Sequence, residues 1–274
     1  YELIMPPPLS LEQCSSPATG TYKASIFSGN TLVDLTGGMG IDTMYLSDQF
    51  NEVHHVEMNE QIHQVFRHNL KVLSKPGITA HHSTAEEFIS EVGTNTSFFI
   101  DPARRSEQKS RVFLFEDCSP NVIELLSSFR IKADKVLIKA APMIDISLAV
   151  SQLEQVKEVH VVSVRNEVKE VLFLLDYQTE APDEPIIKCV NLDTAQPSYS
   201  FCTSNEKTAT SSFSEPQRYL YDPNSSIIKA GAFKLIGSQY KLHKIAVNTH
   251  LYTSDTLIDN FPGRVFEILQ SDVN

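Results

Sequence analysis

VDLTGGMGID, residues 33–42, is a short apolar run closed by an acid, then three glycines within four residues, then residues able to open a helix. A strand that runs into glycines and on into a helix brings backbone N–H groups and a helix N-terminus close to a ligand, which suits a nucleotide or a nucleoside-like molecule. Three details narrow the choice. Read from Gly38, the chain gives G-M-G-I-D-T, so Thr43 stands where the dinucleotide fingerprint G-x-G-x-x-G has its third glycine. Asp34 closes the strand before the glycines, where a carboxylate would face an amino group and repel a pyrophosphate. Glu57 closes the next strand, in HHVEMN, where an acid can accept both hydroxyls of an adenosine ribose.

Outward from this loop the chain alternates regularly. Apolar β-type runs at TLVDL, EVHHVE, ITAHH, SFFID and KVLIKA are separated by helical patterns at 42–49, 59–73, 84–92 and 121–130. Such alternation predicts βαβ units and a parallel sheet covered on both faces. The last pair, EVHVVSV and EVLFLLD, is separated only by Arg165, Asn166 and nearby polar residues. That is too short for a parallel crossover and predicts an antiparallel hairpin. Residues 1–30 read as a leader in which Pro6 to Pro8 forbid a helix and 18–26 form one. After Asp176 the texture turns polar, with a linker at 183–185 and β-type fragments IIKCVNL and YSFCT. Residues 219–274 read as a compact α+β unit.

An acid before the glycines, glycines without a phosphate and a ribose acid after the second strand together describe a site for S-adenosyl-L-methionine. The set VDLTGGMG, VEMN and IDPARR resembles the class I S-adenosylmethionine-dependent methyltransferases, whose fold ends in such a hairpin. More narrowly, LSLEQCSS, VDLTGGMG, IDPARR, IKAAPMID, NEVKE, IIKAGAF, HLYTSD and FPGRVFE resemble a bacterial family assigned as RNA methyltransferases with a C-terminal THUMP-like domain. The resemblance implies an α/β chain with a Rossmann-like methyltransferase domain at 31–182, a small ferredoxin-like insert or linker at 183–218 and a THUMP-like, RNA-handling unit at 219–274. It implies that Asp34, Thr36 and the backbone of Gly37, Gly38 and Gly40 hold the methionine part of the ligand. Glu57 would hold the ribose, and Met58, Thr84 and Ala85 would lie by the adenine.

In open α/β sheets chemistry gathers at the carboxyl ends of the central strands. The fourth strand ends at Asp101 in IDPARR, where amino-group methyltransferases of this fold carry D/N-P-P-aromatic. Asp101 and Pro102 match, so Asp101 would contact both the methyl donor and the methyl acceptor. Ala103 and Arg104 depart from the pattern, although a guanidinium plane can stack on a base and Arg104 and Arg105 can also bind phosphate. A second arrangement competes. Lys23, Asp101, Lys139 and Glu167 or Glu170 echo the Lys-Asp-Lys-Glu tetrad of ribose 2′-O-methyltransferases, in which a lysine deprotonates a hydroxyl. Lys139 is costly at the end of a buried strand unless it faces a site or a carboxylate; Lys23 reads as a surface lysine.

The expected function is methylation of RNA, tRNA or rRNA, at a base amino group or a ribose 2′-OH. A protein or small-molecule methyl acceptor, or a catalytically silent RNA-binding module on the same fold, are the alternatives; an NAD-dependent oxidoreductase is disfavoured by Asp34 and Thr43. With 23 Lys and Arg against 34 Asp and Glu the net charge is −11, awkward for a nucleic-acid binder. The basic residues cluster, however, at Arg104, Arg105, Lys109 and Arg111 and again at Lys229, Lys234, Lys241, His243 and Lys244. Cys14, Cys118, Cys189 and Cys202 lack C-x-x-C spacing, and the histidines lack ligand spacing, so neither a disulfide framework nor a metal is expected. No apolar run is long enough to span a bilayer and no signal-peptide pattern opens the chain, which points to the cytoplasm. The first residue, Tyr1, implies a reading frame that begins further upstream.

Overall fold

The computed structural model describes residues 2–5, 14–104 and 115–269. Pro6 to Pro8, the first residues of the LSLEQCSS motif, and Arg105, Lys109 and Arg111 lie outside them. The chain forms two units, Tyr1–Lys157 with Leu172–Pro182, and Glu158–Val171 with Asp183–Asn274.

In the first unit, helix α1 (Pro17–Ile26) precedes strand β1 (Thr31–Asp34). Then come α2 (Ile41–Leu46), β2 (Glu52–Glu57), α3 (Glu60–Val72), β3 (Ile78–His82), α4 (Ala85–Glu91) and β4 (Thr96–Ile100). The short β5 (Ala103–Arg104) and β6 (Cys118–Ser119) pair antiparallel, and α5 (Val122–Lys132), β7 (Ala133–Ala140) and α6 (Ile146–Gln152) follow. Strand β8 (Val156–Val164) and strand β9 (Glu167–Asp176) run across the division between the units. The helix starts carry the caps their sequences promise: Ser16, Asn59, Thr84, Asn121 and Asp145 each accept a hydrogen bond from a first-turn N–H. The short α6 was not assigned from sequence; seven residues with three β-branched or small apolar members give too little periodicity.

The order in this unit is β9–β7–β4–β1–β2–β3, and β1 is parallel to both β2 and β4. The chain builds outward from β1 to β3, then crosses back to place β4 on the other side of β1. That reversal leaves a crevice beyond the carboxyl ends of β1 and β4, the place where such sheets bind ligands. The central strands that frame it carry a buried apolar core of Leu32, Val33, Phe98, Phe99 and Ile100, as expected for a sheet covered on both faces.

In the second unit, the turn between β8 and β9 is Arg165–Asn166, both with positive φ (49° and 69°), the geometry of a tight two-residue hairpin. Asn191 fastens it, its Oδ1 accepting from Asn166 N (2.8 Å) and from Ser163 Oγ (3.1 Å). The segment 183–218 contributes β10 (Ile186–Leu192), parallel to β8, then β11 (Tyr199–Cys202), antiparallel to β10, and α7 (Thr203–Thr208). Beyond it lie β12 (Tyr219–Pro223), α8 (Ser225–Ala230), α9 (Leu235–Gln239), β13 (His243–Lys244), β14 (Tyr252–Ser254) and β15 (Gly263–Glu267). The last four strands make an antiparallel sheet ordered β13–β14–β12–β15. The basic cluster here is not a uniform face: Lys244 is buried and donates to the Val247 carbonyl. No described helix is long and apolar enough to cross a membrane.

The left-handed turn supplies a test. Asn166→Val puts a β-branched residue at φ 69° and is expected to destabilise the chain by about 1–2 kcal/mol in urea unfolding; an unchanged midpoint counts against the turn's contribution.

Candidate functional site

The loop after β1 is fastened from below. Asp34 is 1% exposed; its Oδ1 accepts from Thr36 N (3.1 Å) and its Oδ2 from the Thr43 hydroxyl (2.5 Å). Thr43, in the place of the third glycine, therefore reaches back from α2 to hold the acid that ends β1. Burial, opposed by these hydrogen bonds, pushes the Asp34 carboxyl up to about 7.

Two aromatic rings support the glycines. His55 and Phe66 stack with centroids 3.6 Å apart, and His55 Nε2 donates to the Gly38 carbonyl (3.1 Å). A Cβ on Gly37 would fall 2.2 Å from His55 Nε2, and one on Gly40, whose φ is 79°, would fall 2.0 Å from Phe66. Both positions therefore require glycine. Burial lowers the His55 pKa to about 4, so the ring is neutral at pH 7.

The amides of the three glycines are taken up within the protein. Gly37 N donates to the Val56 carbonyl, Gly40 N to the Gly37 carbonyl and Gly38 N to Glu57 Oε2 (2.9 Å). Glu57 Oε1 accepts in turn from Asn59 N (2.7 Å). On the other side of β1 the Thr36 hydroxyl accepts from Asp101 N (2.7 Å), which ties the loop to the end of β4.

Beside the loop runs a chain of alternating charges. Lys23 of α1 lies 3.2 Å from Asp42 Oδ1, Lys139 of β7 lies 3.2 Å from Asp42 Oδ2, and Lys139 lies 2.6 Å from Asp101 Oδ2. Ser15 donates to Asp42 and accepts from Lys23. Burial would raise the Asp42 pKa, but the two lysines outweigh it and hold the carboxyl below its usual range. Lys23, expected at the surface, is fully buried; α1 packs so closely on α2 that a Cβ on Gly20 would meet the Tyr45 ring at 2.3 Å. Of the carboxylates proposed for the tetrad, Glu167 pairs with Lys169 (2.7 Å) and Glu170 is buried in β9. The acid the two lysines share is Asp42, which sequence reading took only as the start of a helix.

Two cavities adjoin at the crevice and share Thr36 and Asp101. The larger, about 490 Å³, is lined by the glycine loop, Asp34, Asp42 and Lys139, and by Met5 and Cys14 from the N-terminal segment. The smaller, about 270 Å³, is lined by Glu57, Met58, Thr84 and Ala85. The structure thus gathers Asp34, Thr36, Gly37, Gly38, Gly40, Glu57, Met58, Thr84, Ala85, Asp101 and Lys139 around one crevice. Thr84 is also engaged as the cap of α4, in a reciprocal capping box with Glu87. Pro102 is buried and Arg104 is exposed in β5, just past Asp101. The histidines associate differently: His54 Nδ1 lies 3.0 Å from His81 Nε2, and among the described residues no cluster of His, Cys, Asp or Glu could hold a metal.

Comparison with solved structures supplies a relative. A protein of Porphyromonas gingivalis W83, assigned as a methyltransferase, superposes with a TM-score of 0.88 at 31% identity, over 98% of this chain and 68% of that one. The chain belongs to the family of that protein, and its fold is the Rossmann-like methyltransferase fold with a small C-terminal antiparallel unit. M. capricolum TrmK, solved with S-adenosylhomocysteine, matches at 13% identity and a TM-score of 0.47, over 62% of this chain and 72% of that one. An rRNA methylase from Streptococcus thermophilus matches at 15% and 0.41, over 63% and 98%. At those TM-scores the last two carry no argument about this chain. A family profile described as a ferredoxin-like domain matches residues 219–262, the stretch expected to be THUMP-like. No curated protein sequence matches the chain.

Asp34 yields a prediction with a definite sign. Because its folded pKa is raised, its contribution to stability is present below the usual carboxylate range and is lost as pH rises through about 7. Relative to wild type, Asp34→Asn should therefore gain stability steadily from about pH 4 to about pH 8 in urea titrations. His55, whose lowered pKa acts in the opposite sense, is common to both proteins and cancels. A difference that does not vary with pH would show that Asp34 is not the buried acid described.

Proposed function

We propose that the chain is an S-adenosylmethionine-dependent methyltransferase whose methyl acceptor, an RNA, is held at Asp101. The observation that carries the reading is the state of the glycine loop. The N–H groups of Thr36, Gly37, Gly38 and Gly40 are all engaged within the protein, and Glu57 stands between the loop and the smaller cavity. A pyrophosphate needs a nest of N–H donors; an adenosine ribose needs a carboxylate. Each Glu57 oxygen accepts one N–H and keeps a further lone pair for a hydroxyl donor. The residues present therefore fit an adenosine without phosphates, with its base toward Met58, Thr84 and Ala85 and its amino-acid end toward the larger cavity.

When bound, S-adenosylmethionine supplies a methyl group already activated by its sulfonium. What remains for the chain is alignment, which can supply most of the rate. Asp101 does this from the ledge shared by both cavities, its position set by Thr36 and Lys139. In this reading Asp34 and Thr43 act on the loop rather than on the ligand's amino group, and Pro102 fixes the backbone that follows Asp101. For RNA the support is the motif resemblance and the exposed Arg104 beside Asp101, with residues 219–274 as an RNA handle; such work would be done in the cytoplasm.

Calorimetric titration with S-adenosylhomocysteine beside NAD tests the ligand: micromolar binding of the former alone is expected, and binding of NAD alone would overturn the reading. Glu57→Ala should weaken S-adenosylhomocysteine binding by roughly tenfold or more, given about 1.5–3 kcal/mol for hydrogen bonds to a charged group. Asp101→Ala should retain that binding and lose methylation; full activity in it removes Asp101 from the reaction. Steep weakening of RNA binding with salt separates an RNA from a protein acceptor.

A further inference from the structure

Residues 2–5, ahead of α1, are held on α3 chiefly by one side chain. Asn69 Oδ1 accepts from Ile4 N and Asn69 Nδ2 donates to the Ile4 carbonyl, both at 2.8 Å and across 65 positions of sequence. An amide that takes both backbone groups of one residue stands in for a strand partner and fixes that residue in place. His68 Nε2 adds a bond to the Glu2 carbonyl (3.0 Å). Asparagine is a weak helix former, and Asn69 is only 9% exposed; the two bonds to Ile4 satisfy its buried amide. Leu3 and Ile4 themselves stay partly exposed, so Asn69, more than core burial, sets where the segment lies. The next residue, Met5, lines the larger cavity and is 63% exposed. Ile62, Val65 and Asn69 follow one face of α3 at i, i+3 and i+7, and Ile62 and Val65 line the same cavity. The helix that anchors the segment thus also supplies apolar lining.

On the methyltransferase reading above, which puts the amino-acid end of the ligand in this cavity, we propose that Met5 encloses the methylene stem of that end and that Asn69 is the positioning residue that places Met5 for it. The lining joins charged residues, Asp42, Asp101 and Lys139, to apolar ones, Met5, Ile62 and Val65. The ligand's end is built the same way, a charged head on an apolar stem. Methionine suits the contact, since its unbranched thioether adapts to the shape it meets. Bound ligand covers apolar surface that Met5 otherwise shows to water. The chain thereby distinguishes S-adenosylmethionine from nucleosides without an amino-acid end by a contact outside the glycine loop. Asn69 touches no ligand; it acts through Met5.

The test is calorimetric titration of the full chain with S-adenosylhomocysteine and with 5′-methylthioadenosine, which carries the same adenosine and sulfur without the amino-acid end. Met5→Ala and Asn69→Ala should each weaken S-adenosylhomocysteine binding by roughly fivefold, the value of partly burying a methionine side chain, and leave 5′-methylthioadenosine binding unchanged. Met5→Leu, close in volume, should keep most of the affinity. Because Asn69 acts through Met5, the double variant should bind no more weakly than Met5→Ala alone. Equal weakening for both ligands, or S-adenosylhomocysteine binding unchanged in Met5→Ala, overturns the role of Met5 while leaving the methyltransferase reading intact. Additive losses in the double variant overturn the role of Asn69. Met5 is exposed, so Met5→Ala keeps the test open should Asn69→Ala fail to fold. A wild-type chain that binds neither ligand removes the methyltransferase reading beneath both roles.

Discussion

Three carboxylates converge on one loop, and the site depends on how their mutual repulsion is relieved. Asp34, Asp42 and Asp101 all border the larger cavity, and two lysines are drawn among them. Asp42 and Asp101 share Lys139, and Asp42 has Lys23 as well. Asp34 has no such partner among the hydrogen bonds and ion pairs described; it receives a hydroxyl and an amide, and burial raises its pKa. The two responses, pairing and partial neutralisation, are the two ways a protein can keep an acid away from water. They divide the loop into a side that can bear charge, toward Asp101, and a side that avoids it, beneath the glycines.

The fold was legible where periodicity was strong. The strands EVHHVE and ITAHH fall as read, and the two-residue hairpin follows from the shortness of its connection. Helix α6 carries too little periodicity and no acid in its first turn, whereas α4, equally short, has two. In the site, residues on the crevice-facing strand ends were legible because order along a parallel sheet fixes which ends meet. Lys23, Thr43 and Asp42 were not. Lys23 and Asp42 depend on contacts of α1 with α2 and of α2 with β7, and Thr43 on one between α2 and the end of β1; a single sequence carries no signal for which helix face meets which strand end. The support of the loop by His55 and Phe66 was hidden for the same reason: the ring that forbids a Cβ on Gly37 comes from β2 and the one beneath Gly40 from α3.

The C-terminal region shows how a compositional reading can place a module and leave its kind open. Residues 219–262 match a ferredoxin-like profile, and their sheet is antiparallel and distinct in order from the sheet that bears the crevice. The segment before it, which reads as a small ferredoxin-like insert or linker with IIKCVNL as a β-type fragment, supplies β10, paired with β8 along its whole length.

The placement of Lys23 bears on what a fragment that begins at β1 would lack. A fragment starting at β1 would retain every strand of the sheet and both acids that end β1 and β2, and would look complete by its topology. It would lack the cation that neutralises Asp42 from behind, and Lys139 alone would then be divided between two acids. The helix ahead of the first strand is thus a counter-ion carrier for the crevice.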